Sequence, residues 1–163
     1  ENTGEILWDF KNAPGEELKL LKVRLINQKG NCQSVFSTDE PIFVQITCFV
    51  IRDLTNMRMN FEVLTHDEQV LFHTSTHNKE PHLKEKGKYT YRMEIPANLL
   101  NEGLFKIKIQ AGCPYVKEVL KSIVPLRFQT IRYNGLTTTV ESRQRGFIAP
   151  PIEWDIEKIT SES

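Results

Sequence analysis

Apolar and polar residues alternate in short runs along most of the chain, which is the period-two pattern of half-buried β-strands. The clearest run places five apolar side chains on one face of a strand predicted over 42–52, namely Ile42, Val44, Ile46, Cys48 and Val50. The same pattern predicts further strands over 18–26, 57–63, 70–75, 89–95, 105–109, 123–131 and 136–140. Turn signals separate these runs, including a hairpin at 66–68 and the strong hairpin dipeptide Asn134-Gly135.

Two segments interrupt the alternation. Residues 97–100 resemble a single helical turn closed by Gly103. Residues 76–86 are polar and charged, include Pro81 and show no periodicity, which predicts a long exposed loop. Because no long helical pattern occurs, the regularly spaced short strands predict an all-β fold. We expect an antiparallel β-sandwich of the jelly-roll or immunoglobulin-like type.

The end of the chain follows a different pattern. Pro150 and Pro151 each fix φ and lack an N–H, so residues 146–163 are predicted to form an extended arm that ends in a strand. That strand would carry Ile152, Trp154 and Ile156 on one face. The arm could pack on its own sandwich, or it could reach a second subunit, since a proline-stiffened arm suits exchange between protomers. With a leading segment over 1–16, residues 1–163 are expected to form a single domain.

Composition excludes several classes of function. Lys plus Arg and Asp plus Glu both number 21, so no overall field attracts nucleic acid. No apolar run approaches the ~20 residues that span a bilayer. The three cysteines, Cys32, Cys48 and Cys113, are odd in number and lack CxxC spacing, which argues against a disulfide framework or a zinc site. A reducing cytoplasm is therefore expected, with Cys48 as a small core residue.

Catalysis has little support in the residue pattern. A glycosidase holds two carboxylates on either side of one bond, and Glu62 and Glu94 are the pair that could face each other across neighbouring strands. Both lie among basic and amide residues, as ordinary cross-strand partners do. The four histidines are scattered without an HExxH motif, so no metal site is expected, and no cofactor either.

The polar faces of the predicted strands fit a sugar-binding site better than a catalytic site. A polysaccharide offers hydroxyl groups and apolar ring faces, so its site combines polar side chains with an aromatic platform. The residues that alternate with the apolar ones are predicted to point outward, and they supply both the polar side chains and an aromatic ring. They also include Lys108 and Gln110. We predict that seven converge on one carbohydrate-binding surface: Gln45, Thr47, Phe49, Arg58, Asn60, Glu62 and Arg92. The alternative is that they are ordinary solvent-facing residues, with Phe49 covered by a loop.

Four motifs, in this order, carry a family resemblance. They are Trp8 followed by Asn12-Ala13-Pro14-Gly15, the run Val35-Phe36-Ser37-Thr38-Asp39-Glu40-Pro41-Ile42, the turn Pro96-Ala97-Asn98-Leu99-Leu100-Asn101-Glu102-Gly103, and the tail from Gly146 to Trp154. Together they resemble the carbohydrate-binding C-terminal domain of the Wzt family, the ATP-binding subunits of O-antigen polysaccharide ABC transporters. The chain departs from this family at Asp67-Glu68, where Asp-Gly is usual, which leaves the type of that turn open.

The resemblance implies a function and partners. It implies a non-catalytic domain that binds lipid-linked O-antigen polysaccharide in the cytoplasm, at the inner face of the inner membrane. It also implies a homodimer through the exchanged arm, a nucleotide-binding domain in the same chain, and a transporter membrane subunit as partner. No GxxxxGK[ST] phosphate loop occurs within these residues, so they are not the ATPase part. A structural jelly-roll assembly module and a glycan-processing enzyme are the alternatives.

Removal of residues 150–163 tests the predicted arm. We expect monomers or insoluble protein, because the truncation exposes the apolar groove that the strand had covered. Sedimentation velocity of the full and truncated chains at matched concentrations measures this. A soluble truncated protein that still sediments as a dimer would exclude the arm from the interface.

Overall fold

The computed structural model describes residues 3–76 and 78–132. These residues contain eleven β-strands and no helix. In chain order the strands are β1 (Glu5–Leu7), β2 (Leu18–Ile26), β3 (Val35–Ser37), β4 (Ile42–Val50), β5 (Leu54–Thr55), β6 (Arg58–Thr65), β7 (Val70–Ser75), β8 (Leu83–Lys84), β9 (Gly87–Ile95), β10 (Gly103–Cys113) and β11 (Lys117–Ile131).

The strands form two main sheets packed face to face. Sheet A has the order β1-β2-β4-β9, sheet B has the order β3-β11-β10-β6-β7, and β5 and β8 form a short separate pair. Neighbouring strands are antiparallel except β3, which runs parallel to β11. The predicted antiparallel β-sandwich is confirmed, and the parallel pairing of β3 with β11 at one edge was not predicted.

Alternation along β4 and β2 shows how the sequence forms sheet A. The five apolar residues of β4 face the core as predicted, with Val44, Cys48 and Val50 fully buried. In β2 the inward positions change from Leu20 to Val23, because the pairing with β4 shifts between Leu20 and Lys22. A bulge of this kind inserts a residue and so moves the apolar set by one position.

The core lies between the sheets and contains an aromatic cluster on sheet B. Phe105 and Phe128 stack with ring centroids 5.3 Å apart, and Phe36 meets Phe128 edge to face at 6.4 Å. Cys48 is buried as expected, and burial raises the pKa of its thiol to about 12. Burial also raises the pKa of the Cys113 thiol. Both groups therefore stay protonated and act as small apolar core residues.

Several predicted segments differ in detail from the structure. The last described strand begins at Lys117 rather than 123, because its first residues pair with Ala111, Gly112 and Cys113. Residues 97–98 form a turn rather than a helical turn, with Asn98 at a φ of +64°. Residues 76–86 are not wholly exposed, since they include β8 and a buried lysine. β1 and β3 were not predicted.

The hairpin between β6 and β7 lies where it was predicted. Glu68 has a φ of +71°, so it takes the left-handed position that glycine usually fills. The Glu68 N–H donates to the Thr65 carbonyl at 2.9 Å, and the Thr65 hydroxyl contacts the Asp67 carboxylate. The hairpin at Asn134-Gly135, the strand predicted over 136–140 and the arm over 146–163 lie outside the described residues.

The aromatic cluster predicts a large effect of one core substitution. Phe128→Ala is expected to lower the free energy of unfolding by about 3–5 kcal/mol, because it opens a cavity between Phe36 and Phe105. Leu104→Ala is the control, since Leu104 is 54% exposed and should change that free energy by less than about 0.5 kcal/mol. Urea denaturation measures the free energy of unfolding of both variants. Equal losses from the two substitutions would contradict the assignment of Phe128 to the core.

Candidate functional site

The structure divides the seven predicted site residues between two faces. Gln45, Thr47 and Phe49 lie on β4 and Arg92 lies on β9, both in sheet A, whereas β6 of sheet B carries the rest. Because the core separates the sheets, residues that face outward on one sheet point away from those on the other. The prediction of one converging surface was therefore wrong, since alternation assigns a side of a strand but not the sheet to which the strand belongs.

The same division separates the two candidate carboxylates. Glu62 is on β6 in sheet B and Glu94 is on β9 in sheet A. They do not face each other across neighbouring strands. Glu62 instead lies 3.8 Å from the ammonium of Lys108, its direct partner across β10. This arrangement does not place the two carboxylates on either side of one bond, as glycoside hydrolysis requires.

Polar side chains on the outer face of sheet A contact one another. The Arg24 guanidinium lies 3.3 Å from the Glu5 carboxylate and donates to Gln45 Oε1 at 3.2 Å. Thr47 is only 7% exposed. Gln45 and Thr47 therefore contribute mainly to cross-strand contacts within the sheet.

The aromatic residues of sheet A also have partners within the chain. Phe49 meets Phe10 edge to face, with ring centroids 5.6 Å apart. Phe10 belongs to the segment between β1 and β2, so a loop residue packs on the predicted platform. The Arg92 guanidinium lies 5.5 Å from the centre of the Phe43 ring.

Sheet B carries a continuous groove on its outer face. Hollows of about 270, 500 and 230 Å³ follow one another along β6 and β10. The first two share Arg58, Pro114 and Tyr115, and the last two share Asn60, Gln110 and Glu118. We call this surface the Arg58 groove, and its lining residues include Arg58, Asn60, Glu62, His82, Gln110, Tyr115 and Glu118.

Tyr115 stands at the tip of the β10–β11 hairpin. The Val116 N–H donates to the Cys113 carbonyl at 2.9 Å, which closes a four-residue turn with Pro114 second and Tyr115 third. Tyr115 has a φ of +65° and a fully exposed side chain. A positive φ at the third position is characteristic of a type II turn, where glycine or asparagine is usual. Strained backbone of this kind concentrates at functional sites, and here it presents a bare aromatic ring beside the groove.

The floor of the groove is a chain of polar contacts across three strands. Asn60 Nδ2 donates to Gln110 Oε1 at 2.5 Å, and Gln110 Nε2 donates to Glu118 at 3.0 Å. Arg58 continues the same outward row on β6, and its Nε is buried without a hydrogen-bond partner. The row therefore holds amide and carboxylate groups in fixed orientation next to an unsatisfied guanidinium donor.

Sequence reasoning named only part of this groove. Arg58, Asn60 and Glu62 were predicted site residues, and Lys108 and Gln110 were assigned to the outward set. Tyr115 and Glu118 were missed. The available signal for Tyr115 was an aromatic residue directly after Pro114 between two alternating runs, which marks a turn tip.

A separate hollow of about 430 Å³ lies at the opposite end of β10. It is lined by Val35, Leu104 and Lys106 among others. Its two aromatic rings, Phe105 and Phe128, are buried in the core, so they offer no face on which a sugar could stack. The Arg58 groove is the better candidate site.

The described part of the chain contains no candidate metal site and no candidate membrane-spanning helix. Within residues 3–76 and 78–132, no three His, Cys, Asp or Glu side chains gather as metal ligands would. Those ranges also lack a helix of the length and apolar character that crosses a membrane.

The fold and the groove define a β-sandwich module with an open polar surface on one outer face. The chain belongs to the Wzt C-terminal domain family, whose model matches residues 15–120. A solved structure described as the crystal structure of the C-terminal domain of Wzt aligns with a TM-score of 0.70 and 12% identity, covering 96% of this chain and 93% of the other. At that identity the likeness shows the fold alone. No curated protein matches the chain.

Proposed function

We propose that this chain is a non-catalytic domain that binds O-antigen polysaccharide along the Arg58 groove. One observation carries the proposal. An exposed aromatic ring, the Arg58 side chain and an ordered row of amide and carboxylate groups line one open surface. Family membership supports polysaccharide as the ligand class.

Each part of the groove matches a feature of a sugar. The Tyr115 ring can stack on the apolar face of a pyranose, and amide or carboxylate groups can bind hydroxyls in pairs. The Arg58 side chain lines two of the three hollows, so its guanidinium can donate to a hydroxyl or carboxylate oxygen of the glycan.

The shape of the groove suits a linear polymer. Three hollows share lining residues end to end, so the surface is extended and open. A small ligand is normally enclosed, whereas a polysaccharide has further residues that must leave the site at its ends. The separation of Glu62 from Glu94 supports binding without hydrolysis.

The proposed partners follow from the family. We propose that the domain acts beside a nucleotide-binding domain of the same chain and the membrane subunit of an ABC transporter, at the cytoplasmic face of the inner membrane. A homodimer through Pro150, Pro151, Ile152, Trp154 and Ile156 remains a proposal, because these residues lie outside the described part of the chain.

Two groove variants test the proposal. Arg58→Ala removes the guanidinium, and Tyr115→Gly removes the ring while placing glycine at the φ of +65° that it accepts readily. Each is expected to weaken affinity for O-polysaccharide from the source strain about tenfold, the equivalent of about 1.4 kcal/mol. Isothermal titration measures affinity, and thermal melting should show no loss of stability for Tyr115→Gly.

Sheet A provides matched controls. Phe49→Ala and Arg92→Ala make similar truncations on the opposite face, and we expect affinity within about twofold of the unmodified chain, as for an ordinary surface position. An unrelated glycan should not bind. Weakening by the sheet A variants, with none by the groove variants, would move the site to Gln45, Thr47, Phe49 and Arg92. Absence of binding by the unmodified protein would contradict the proposed function.

A further inference from the structure

Residues 76 and 78–86, here called the strap, lie between β7 at the edge of sheet B and β9 at the edge of sheet A. The strap carries a buried ion pair. Lys84 Nζ lies 2.6 Å from the Glu80 carboxylate, and both side chains are only 5% exposed. A buried pair in a surface connection is unusual, because removing two charges from water is costly and well-packed apolar residues often stabilise a protein as much or more.

Glu80 joins the strap to both sheets. Its Oε2 accepts hydrogen bonds at 2.7 Å from the Tyr91 hydroxyl on β9 and at 2.7 Å from the Thr76 hydroxyl. Thr76 Oγ1 in turn accepts from the Met59 N–H on β6 at 2.9 Å. Burial, followed by the hydrogen bond to Glu80, raises the pKa of the Tyr91 hydroxyl, so this group stays protonated and remains a donor.

Aromatic rings hold the cation of the pair. Lys84 Nζ lies 4.0 Å from the centre of the Tyr89 ring and 5.2 Å from that of Tyr91. Both rings extend from β9 on the side that faces the sandwich interior, where they pack against the core. Every charged or hydroxyl group of this cluster therefore has a directional partner, an arrangement that specifies a single geometry.

The strap also forms one wall of the Arg58 groove. Glu80, Pro81 and His82 line the same hollow as Arg58 and Tyr115. His82 is held from its other side, since its Nδ1 lies 2.8 Å from Asn56 Oδ1 and its carbonyl accepts from the Asn56 N–H at 2.8 Å. The residues at the groove are thus immediate chain neighbours of the buried cluster.

We infer that Glu80, Lys84 and Tyr91 are positioning residues for glycan binding, which hold Pro81 and His82 in place as the wall opposite Tyr115. This inference rests on the proposed function of the groove. Glu80 borders the same hollow, but its side chain and that of Lys84 are only 5% exposed and bind each other, so the cluster supports the wall rather than offering groups to the sugar. Its role is to keep the strap in one position relative to both sheets, so that the groove is formed before the ligand arrives.

Tyr91→Phe and Thr130→Val form a pair of tests. The first removes the hydroxyl that binds Glu80, and the second removes a buried hydroxyl that donates to the Asn101 carbonyl at 2.7 Å, away from the strap. At a temperature where both variants are fully folded, Tyr91→Phe should weaken affinity for the source-strain O-polysaccharide about three- to tenfold, because part of the binding free energy must then order the strap. Thr130→Val should remain within about twofold.

Hydrogen exchange supplies a readout that does not need the glycan. In Tyr91→Phe the amides of Asn56, Glu80 and residues 82–84 should exchange faster than in the unmodified chain, while amides of β10 stay unchanged. If the unmodified protein binds no glycan, the proposed function fails, and exchange still decides whether the cluster orders the strap. Unchanged exchange in Tyr91→Phe, or unchanged glycan affinity in a protein that binds, would overturn the inference.

A rescue experiment separates positioning from general stability. Lys84→Met leaves the Glu80 charge buried without its cation, and should weaken glycan affinity more than about tenfold or prevent folding. Adding Glu80→Gln removes the unpaired charge and keeps an oxygen that accepts from Tyr91. The double variant should recover affinity to within about threefold of the unmodified protein. A stable double variant with no recovery of affinity would argue that the ion pair itself is required at the site, and would overturn the positioning role.

Discussion

Burial of two apolar sheet faces against each other is the constraint on which the structure depends. Sheet A contributes aliphatic residues such as Val44 and Val50, and sheet B contributes the cluster of Phe36, Phe105 and Phe128. Burying one large apolar side chain contributes about 1.5–3 kcal/mol, so the packed faces supply the main favourable term in folding. Once every second residue is committed to that interior, the residues between them must face outward. The candidate surface is thus a consequence of the core.

The groove requires more than outward-facing residues. Asn60 pairs directly with Gln110 across β6 and β10, whereas Glu118 of β11 lies opposite Gly112 at a shift in the pairing and still reaches Gln110. These side chains bind one another and so lose freedom before any ligand arrives. Tyr115 reaches the same surface because the β10–β11 turn holds it at a positive φ. Polar side chains on both faces have partners within the chain. The sheet B face is therefore set apart by the groove and by the fully exposed Tyr115 ring beside it.

The strap shows how a polar segment can be ordered at the edge of an apolar sandwich. Its Glu80 and Lys84 are buried with partners from β9 and the strap itself, and Thr76 links Glu80 to β6. Such an arrangement adds little stability compared with apolar packing, but its contacts are directional and allow few alternatives. Pro81 and His82 follow Glu80 directly in the chain and form the wall of the groove, so the contacts of Glu80 also restrict the position of this wall. Fold and candidate site are coupled through this segment.

Local alternation in the sequence by itself determined the longer strands and their inward faces, because burial of one side of a strand imposes a period of two. It predicted β4 and its core residues, and it placed Arg58, Asn60 and Glu62 on an outer surface. Only the tertiary structure decided that these three share a sheet with Gln110 and Tyr115 and not with Phe49 and Arg92. It also decided that Glu80 and Lys84 are buried. Strand pairing and loop packing bring together residues far apart in the chain, and no local pattern records which of them meet.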